Sequence, residues 1–169
     1  HKGRDGIFSL RDFQIHDAKS GELLIEATSS WLIIDLASRR MMRADHALGE
    51  KGLHTTFEQD AIAEPCQKIA IPKEPAPEFC RTVKVMYSDI DLNQHTNNTR
   101  YMLWAIDSIP AEILQKREID ECQINFNMES KLSDEITINT SELNPDTFYV
   151  EGVSTNGKNI FQATIKLKQ

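Results

Sequence analysis

The run Asp89-Ile90-Asp91-Leu92-Asn93-Gln94-His95-Thr96-Asn97-Asn98 is the densest cluster of acid, amide and imidazole in a chain of 169 residues. Asp91, Asn93 and His95 alternate at a spacing of two, which in extended geometry puts their side chains on one side. An imidazole that titrates near neutrality, an amide donor and a carboxylate to orient them form a set able to move a proton at a carbonyl centre. The run lies where a strand is expected to hand over to a helix. Free backbone N–H groups and the positive dipole end at a helix start stabilise an oxygen that gains negative charge. A second reading stays open at this point: Asp91 or Asn93 caps the helix, as Asp and Asn often do, and His95 is a first-turn surface residue.

Glu129 ends an expected strand with Ile124, Phe126 and Met128 on one face and Gln123, Asn125, Asn127 and Glu129 on the other. If that strand lies beside the polar loop, the Glu129 carboxylate reaches it and can take a proton from water; the alternative is a solvated strand end. Ser130 follows directly, without a G-x-S-x-G setting, and is read as a strand-end polar residue rather than a nucleophile. His1, His16, His46 and His54 have no metal-ligand spacing and pair with none of the cysteines, so no metal is expected. Neither a Walker loop nor a dinucleotide fingerprint occurs, and no nucleotide cofactor is expected.

The elements that must position these residues come in two groups. From Ile7 to Arg43 the pattern is β: a strand over Phe8–Ile15, a turn at Ala18-Lys19-Ser20-Gly21, a long strand over Leu23–Asp35, and a short third strand through Met41 and Met42. Such a sheet needs a covering layer, and no helix within the segment supplies one. Residues 46–80 carry two short helix-like pieces and then Pro65, Pro72, Pro75 and Pro77, which read as a linker. From Arg81 a complete unit follows: a strand over Arg81–Tyr87, the polar loop, and a helix over about Thr96–Asp107 with Tyr101, Met102, Trp104, Ala105 and Ile106 along one side. Strands over Ile119–Glu129, Glu135–Leu143, Thr147–Thr155 and Asn159–Lys168 complete it, with turns at Asn144-Pro145-Asp146 and Asn156-Gly157. One helix wrapped by a curved antiparallel sheet satisfies this order.

Composition bounds the partners. With 40% hydrophobic and 27% charged residues the chain is an ordinary globular one. The net charge of −7 argues against nucleic acid, which requires a basic surface. No window approaches 18 consecutive apolar residues, so no membrane span is expected. Arg39, Arg40 and Arg43 are a candidate basic patch for an acidic partner, against the alternative of a solvated hairpin. Cys66, Cys80 and Cys122 form no even-numbered framework, which predicts reduced thiols and a cytoplasmic setting.

The run Asp91-Leu92-Asn93-Gln94-His95-Thr96-Asn97-Asn98, followed by Tyr101, Trp104 and Ser108-Ile109-Pro110, resembles the D-x-N-x-H-x-N-N…Y…W signature of the acyl-[acyl-carrier-protein] thioesterases. Arg4-Asp5-Gly6-Ile7-Phe8-Ser9-Leu10-Arg11-Asp12-Phe13 and Ala27-Thr28-Ser29-Ser30-Trp31 resemble the later part of that family's first domain. The resemblance implies an α+β double hotdog, each half a helix wrapped by an antiparallel sheet. It implies residues 1–45 as the C-terminal part of the first hotdog, 46–80 as an interdomain linker and 81–169 as a complete second hotdog, in a chain truncated at its N-terminal side. It further implies hydrolysis of the thioester of acyl-acyl-carrier-protein, with acyl carrier protein as donor and catalytic residues at Asp91, Asn93, His95 and Glu129. Plant members place a cysteine where Ser130 stands, so direct attack by water is expected here rather than a cysteine-based covalent route. Two alternatives remain on the sequence: an acyl-CoA thioesterase of the same fold, and a non-catalytic acyl-binding module. Monomer and homodimer are both open.

Overall fold

The computed structural model describes residues 2–38, 40–43, 46–47 and 60–168, and the chain divides into two compact units, His1–Gln67 and Lys68–Gln169. In the first unit β1 (Gly3–Asp5), β2 (Phe8–His16) and β3 (Leu23–Trp31) form an antiparallel sheet in that order. Asp17 makes the β2–β3 turn by accepting from the N–H groups of Lys19 and Ser20 at 2.9 and 2.7 Å, and Gly21 follows at φ 75°. The expected long strand to Asp35 is broken at Leu32. Its end is a separate strand, β4 (Ile33–Ile34), paired with β5 (Met41–Met42) rather than with the sheet. Asp35 then caps the connecting turn through Ser38 N–H at 2.7 Å. Lys2 and Asp12 form an ion pair at 3.3 Å with little exposure of either side chain, and Asp12 also accepts from Ala61 N–H at 2.8 Å.

The second unit holds β6 (Phe79–Lys84), a 3-10 turn at Tyr87–Asp89, α1 (Asn98–Ile106), α2 (Ala111–Leu114), β7 (Ile119–Phe126), β8 (Glu135–Asn144), β9 (Thr147–Ser154) and β10 (Asn159–Leu167). The sheet is antiparallel, ordered β6-β8-β9-β10-β7, so the last strand lies between two neighbours. The expected hairpins form: Gly157 adopts φ 78° in the β9–β10 turn, and Asn144 Oδ1 accepts from Asp146 N–H at 2.9 Å in the β8–β9 turn. Alternation along β8, β9 and β10 puts Ile136, Ile138, Phe148, Val150, Phe161, Ala163 and Ile165 into a core closed by Tyr101, Trp104 and Ala105 of α1. Tyr101 meets the Trp104 ring edge-on at 5.5 Å and the Phe161 ring at 5.4 Å. Gly152 sits opposite Phe161, whose ring fills the space that a Cβ at that position would take.

Long-range polar ties close this unit. The Arg117 guanidinium donates to Pro145 O and Lys168 O, both at 2.6 Å, and pairs with Asp146 at 2.6 Å. The backbone of Ile69 is held at both ends: its N–H donates to Asn125 Oδ1 at 2.7 Å, and its carbonyl accepts from the buried Gln162 amide.

Candidate active site

Local sequence explains how the polar loop is shaped. Ile90 and Thr96 pair as an isolated antiparallel bridge, so residues 91–95 form a closed turn rather than the extended run that the spacing of two suggested. Asp91 N–H donates to His95 O at 2.9 Å and Gln94 N–H to Asp91 O at 3.1 Å, with Gln94 in the left-handed region at φ 63°. The Asp91 carboxylate accepts from the backbone N–H groups of Asn93 and His95, at 2.8 and 3.3 Å. Its bonds therefore set the loop backbone rather than the imidazole itself. Asn93 is exposed at the tip.

The helix starts two residues later than expected because Asn97 takes the cap, its side chain accepting from Thr99 N–H at 2.9 Å. Neither Asp91 nor Asn93 is the cap. Asp89 anchors the start of the loop. It is buried, accepts from Met86 N–H at 2.8 Å, pairs with Arg100 Nε at 2.6 Å, and its carbonyl accepts from Asn97 N–H at 2.7 Å.

Strand β7 ends at Phe126, so Glu129 lies in the connection that follows, where Asn127 and Met128 N–H both donate to Ile160 O at 2.8 and 3.0 Å. This connection runs beside the loop. His95 Nε2 and Glu129 Oε2 are 3.1 Å apart, with side chains 22% and 58% exposed. An imidazole and a carboxylate in contact, partly open to water, with the imidazole three residues before the start of α1, can share and relay one proton. Of the four expected residues, His95 and Glu129 thus meet directly, Asp91 supports the turn, and Asn93 presents an exposed amide.

Behind the pair is a buried hydroxyl cluster that left only a weak cue in the sequence. Ser130 Oγ lies 2.7 Å from Thr96 Oγ1 and 2.8 Å from Tyr101 Oη, Ser130 N–H donates to Tyr101 Oη at 3.1 Å, and Thr96 N–H donates to Ser130 O at 2.8 Å. Thr96, Tyr101 and Ser130 are each at most 3% exposed. The cue was that a hydroxyl residue directly follows both His95 and Glu129.

Arg40 and Arg43 are exposed on and beside the β4–β5 hairpin, and Arg39 lies outside the described residues. Among the described residues no group of three or more His, Cys, Asp or Glu side chains is arranged to hold a metal ion. No helix among the described residues is long and apolar enough to cross a membrane.

The helix α1 packed against a curved five-stranded antiparallel sheet, with a histidine–carboxylate pair near the helix start, defines a hotdog-fold protein. Family models agree. The acyl-ACP thioesterase C-terminal domain matches residues 73–169 and the N-terminal domain of the same family matches residues 1–50, so the chain belongs to the acyl-ACP thioesterase family. It is 28% identical over 162 residues to an oleoyl-acyl carrier protein thioesterase of Arabidopsis thaliana, a chloroplastic protein, covering 92% of this chain and 44% of that one. To a palmitoyl-acyl carrier protein thioesterase of Gossypium hirsutum it is 29% identical over 129 residues, covering 75% and 31%. The chain thus spans less than half the length of these relatives. Two solved structures share the fold: an acyl-ACP thioesterase of Bacteroides thetaiotaomicron (TM-score 0.80, 24% identity, 99% of this chain and 65% of that one) and a 12:0-ACP thioesterase of Umbellularia californica (TM-score 0.84, 20% identity, 98% and 65%).

Proposed function

We propose that this protein hydrolyses the thioester of acyl-acyl-carrier-protein, releasing a free fatty acid and ending its synthesis. The observation that carries the reading is the 3.1 Å contact of His95 with Glu129 near the start of α1, in a chain of this family. The pair takes a proton from water as oxygen bonds to the thioester carbon. The C–S bond then breaks, and the proton passes to the departing sulfur. Asn93 and the helix N-terminus polarise the carbonyl oxygen, and Asp91 holds the turn that carries Asn93 and His95. Ser130 supplies no nucleophile, since its hydroxyl is buried and engaged.

On this reading residues 1–45 are the C-terminal part of a first hotdog, 46–80 an interdomain linker and 81–169 a second hotdog that carries the chemistry. Arg39, Arg40 and Arg43 contribute to recognition of the acidic carrier protein. The three unpaired cysteines fit a reducing, cytoplasmic setting.

The test is hydrolysis of matched acyl-carrier-protein and acyl-CoA thioesters by the parent and by His95→Ala. Turnover that depends on His95 and prefers the carrier substrate supports the proposal. A preference for CoA shifts it to the acyl-CoA reading, and binding of acyl ligand without turnover replaces it by the binding-module reading.

A further inference from the structure

We propose that Ser130 is a positioning residue: its buried bonds to Thr96 and Tyr101 fix the chain one residue beyond both His95 and Glu129 and so set their contact. The inference rests on the thioesterase reading for its catalytic consequence, and on geometry alone for its structural one. His95 and Glu129 come from connections 34 residues apart in sequence, and the contact between them is partly exposed. An exposed pair of this kind does not hold its own geometry, because ordering the side chains offsets most of the attraction.

The neighbouring hydroxyls supply what the pair lacks. Five hydrogen bonds join Thr96, Tyr101 and Ser130, and they allow one arrangement in which every donor is used. Ser130 N–H donates to Tyr101 Oη, Tyr101 O–H to Ser130 Oγ, Ser130 O–H to Thr96 Oγ1, and Thr96 O–H to Ser130 O, the last at 3.2 Å. Thr96 N–H donates to Ser130 O as well. The Tyr101 ring is packed in the core against Trp104 and Phe161, so the cluster is anchored to the buried core of the unit. Thr96 is held on its other side by the bridge to Ile90. With the two following residues locked together, little backbone freedom separates His95 from Glu129. Alanine at position 130 keeps the fold's apolar packing but removes the hub of the network: Tyr101 O–H loses its acceptor and Thr96 Oγ1 its donor, each keeping only its bond to the backbone of residue 130, and this deficit relaxes by moving the connection.

Two measurements test this. The first is the ring nitrogen spectrum of the histidines at about pH 8, where an unprotonated imidazole reports which nitrogen carries its proton; the His95 signals are identified by their loss in His95→Gln. The parent is expected to hold the proton on Nε2, facing Glu129, and Ser130→Ala and Tyr101→Phe to show a mixture of tautomers. A parent without the Nε2 preference, or variants with an unchanged pattern, overturns the proposal. Tyr101→Phe keeps the ring and its packing, so it remains informative if Ser130→Ala folds poorly.

The second is a double-mutant cycle on kcat. Ser130→Ala is expected to lower kcat about 10- to 100-fold, the cost of a small misplacement, with KM changed by less than about threefold. In a Glu129→Gln background the same substitution is expected to change kcat by less than about twofold. Equal losses in both backgrounds mean a general structural role and overturn the proposal. If the parent has no turnover, the thioesterase reading fails, while the tautomer spectrum still decides the role of Ser130.

Discussion

The three-stranded sheet of the first unit and the five-stranded sheet of the second are both antiparallel and both rich in apolar residues, yet they use them differently. In the first, Phe13 faces Ala27 and Ile15 faces Ile25 across the β2–β3 ladder, and Phe13, Ile15 and Ile25 remain 50%, 55% and 57% exposed. Among the described residues of that unit Leu10 is the one buried hydrophobic side chain. In the second, a comparable alternation lies under α1, and fourteen residues form one buried cluster. Strand pattern makes an apolar face, but a helix laid across it makes a core. The same helix gives the second unit a rigid start on which a turn, a cap and a histidine can be mounted.

The comparison predicts where substitutions should hurt. The largest effects belong to the chemistry: His95→Ala and Glu129→Gln should each lower kcat roughly 100- to 10,000-fold, measured on an acyl-carrier-protein thioester. Arg40→Ala with Arg43→Ala, in the first unit, should instead raise KM for the carrier substrate and leave hydrolysis of a short acyl-CoA unchanged. A kcat loss from the arginines would break the division of labour between the units.

Next in size is the core. Phe161→Ala should cost about 3–5 kcal/mol in urea denaturation, whereas Phe13→Ala should stay within about 0.5 kcal/mol because its side chain is already half in solvent. Equal costs would mean that the first sheet is buried as deeply as the second. Gly152→Ala should cost about 1–3 kcal/mol, since the new methyl must displace the Phe161 ring. A thermal melt unchanged from the parent would show that the ring yields freely.

The smallest expected effect is electrostatic and belongs to the first unit. Burial works to raise the Asp12 carboxyl, but hydrogen bonds that include Ala61 N–H and Lys2, with the Lys2 charge, outweigh it and hold the group below the usual carboxylate range. A carboxyl lowered in the fold contributes stability above its unfolded value, near 4, and that contribution is lost as pH falls through the lower folded value. Parent midpoints in urea should therefore fall more steeply in acid than those of Asp12→Asn. Parallel acid limbs would remove Asp12 from the account.

Much of the second unit was legible because its signals are local. The Asn156-Gly157 and Asn144-Pro145-Asp146 turns and the spacing of Tyr101, Trp104 and Ala105 each fix one element with neighbours a few residues away. The break at Leu32 was not legible, since Leu23 to Ile34 reads as one continuous β pattern and the partner that captures Ile33 and Ile34 is a two-residue strand. At the site, residue types singled out His95 and Glu129, which the fold brings into contact, while the spacing of two misjudged the geometry between Asp91 and His95. Gln94 enters a left-handed conformation that a glutamine does not advertise, and the turn closes through pairing that spacing cannot report. Ser130 was read as a strand-end polar residue because its importance comes from Thr96 and Tyr101, 34 and 29 residues away.

The position of β10 between β9 and β7 also has a mechanical meaning. A pull applied at Lys168 meets two ladders and the Arg117 grip on Lys168 and Asp146 together, so the strand cannot peel away one bond at a time. Force entering there is shared between two ladders, whereas the same force on the edge strand β7 would find only one ladder to undo.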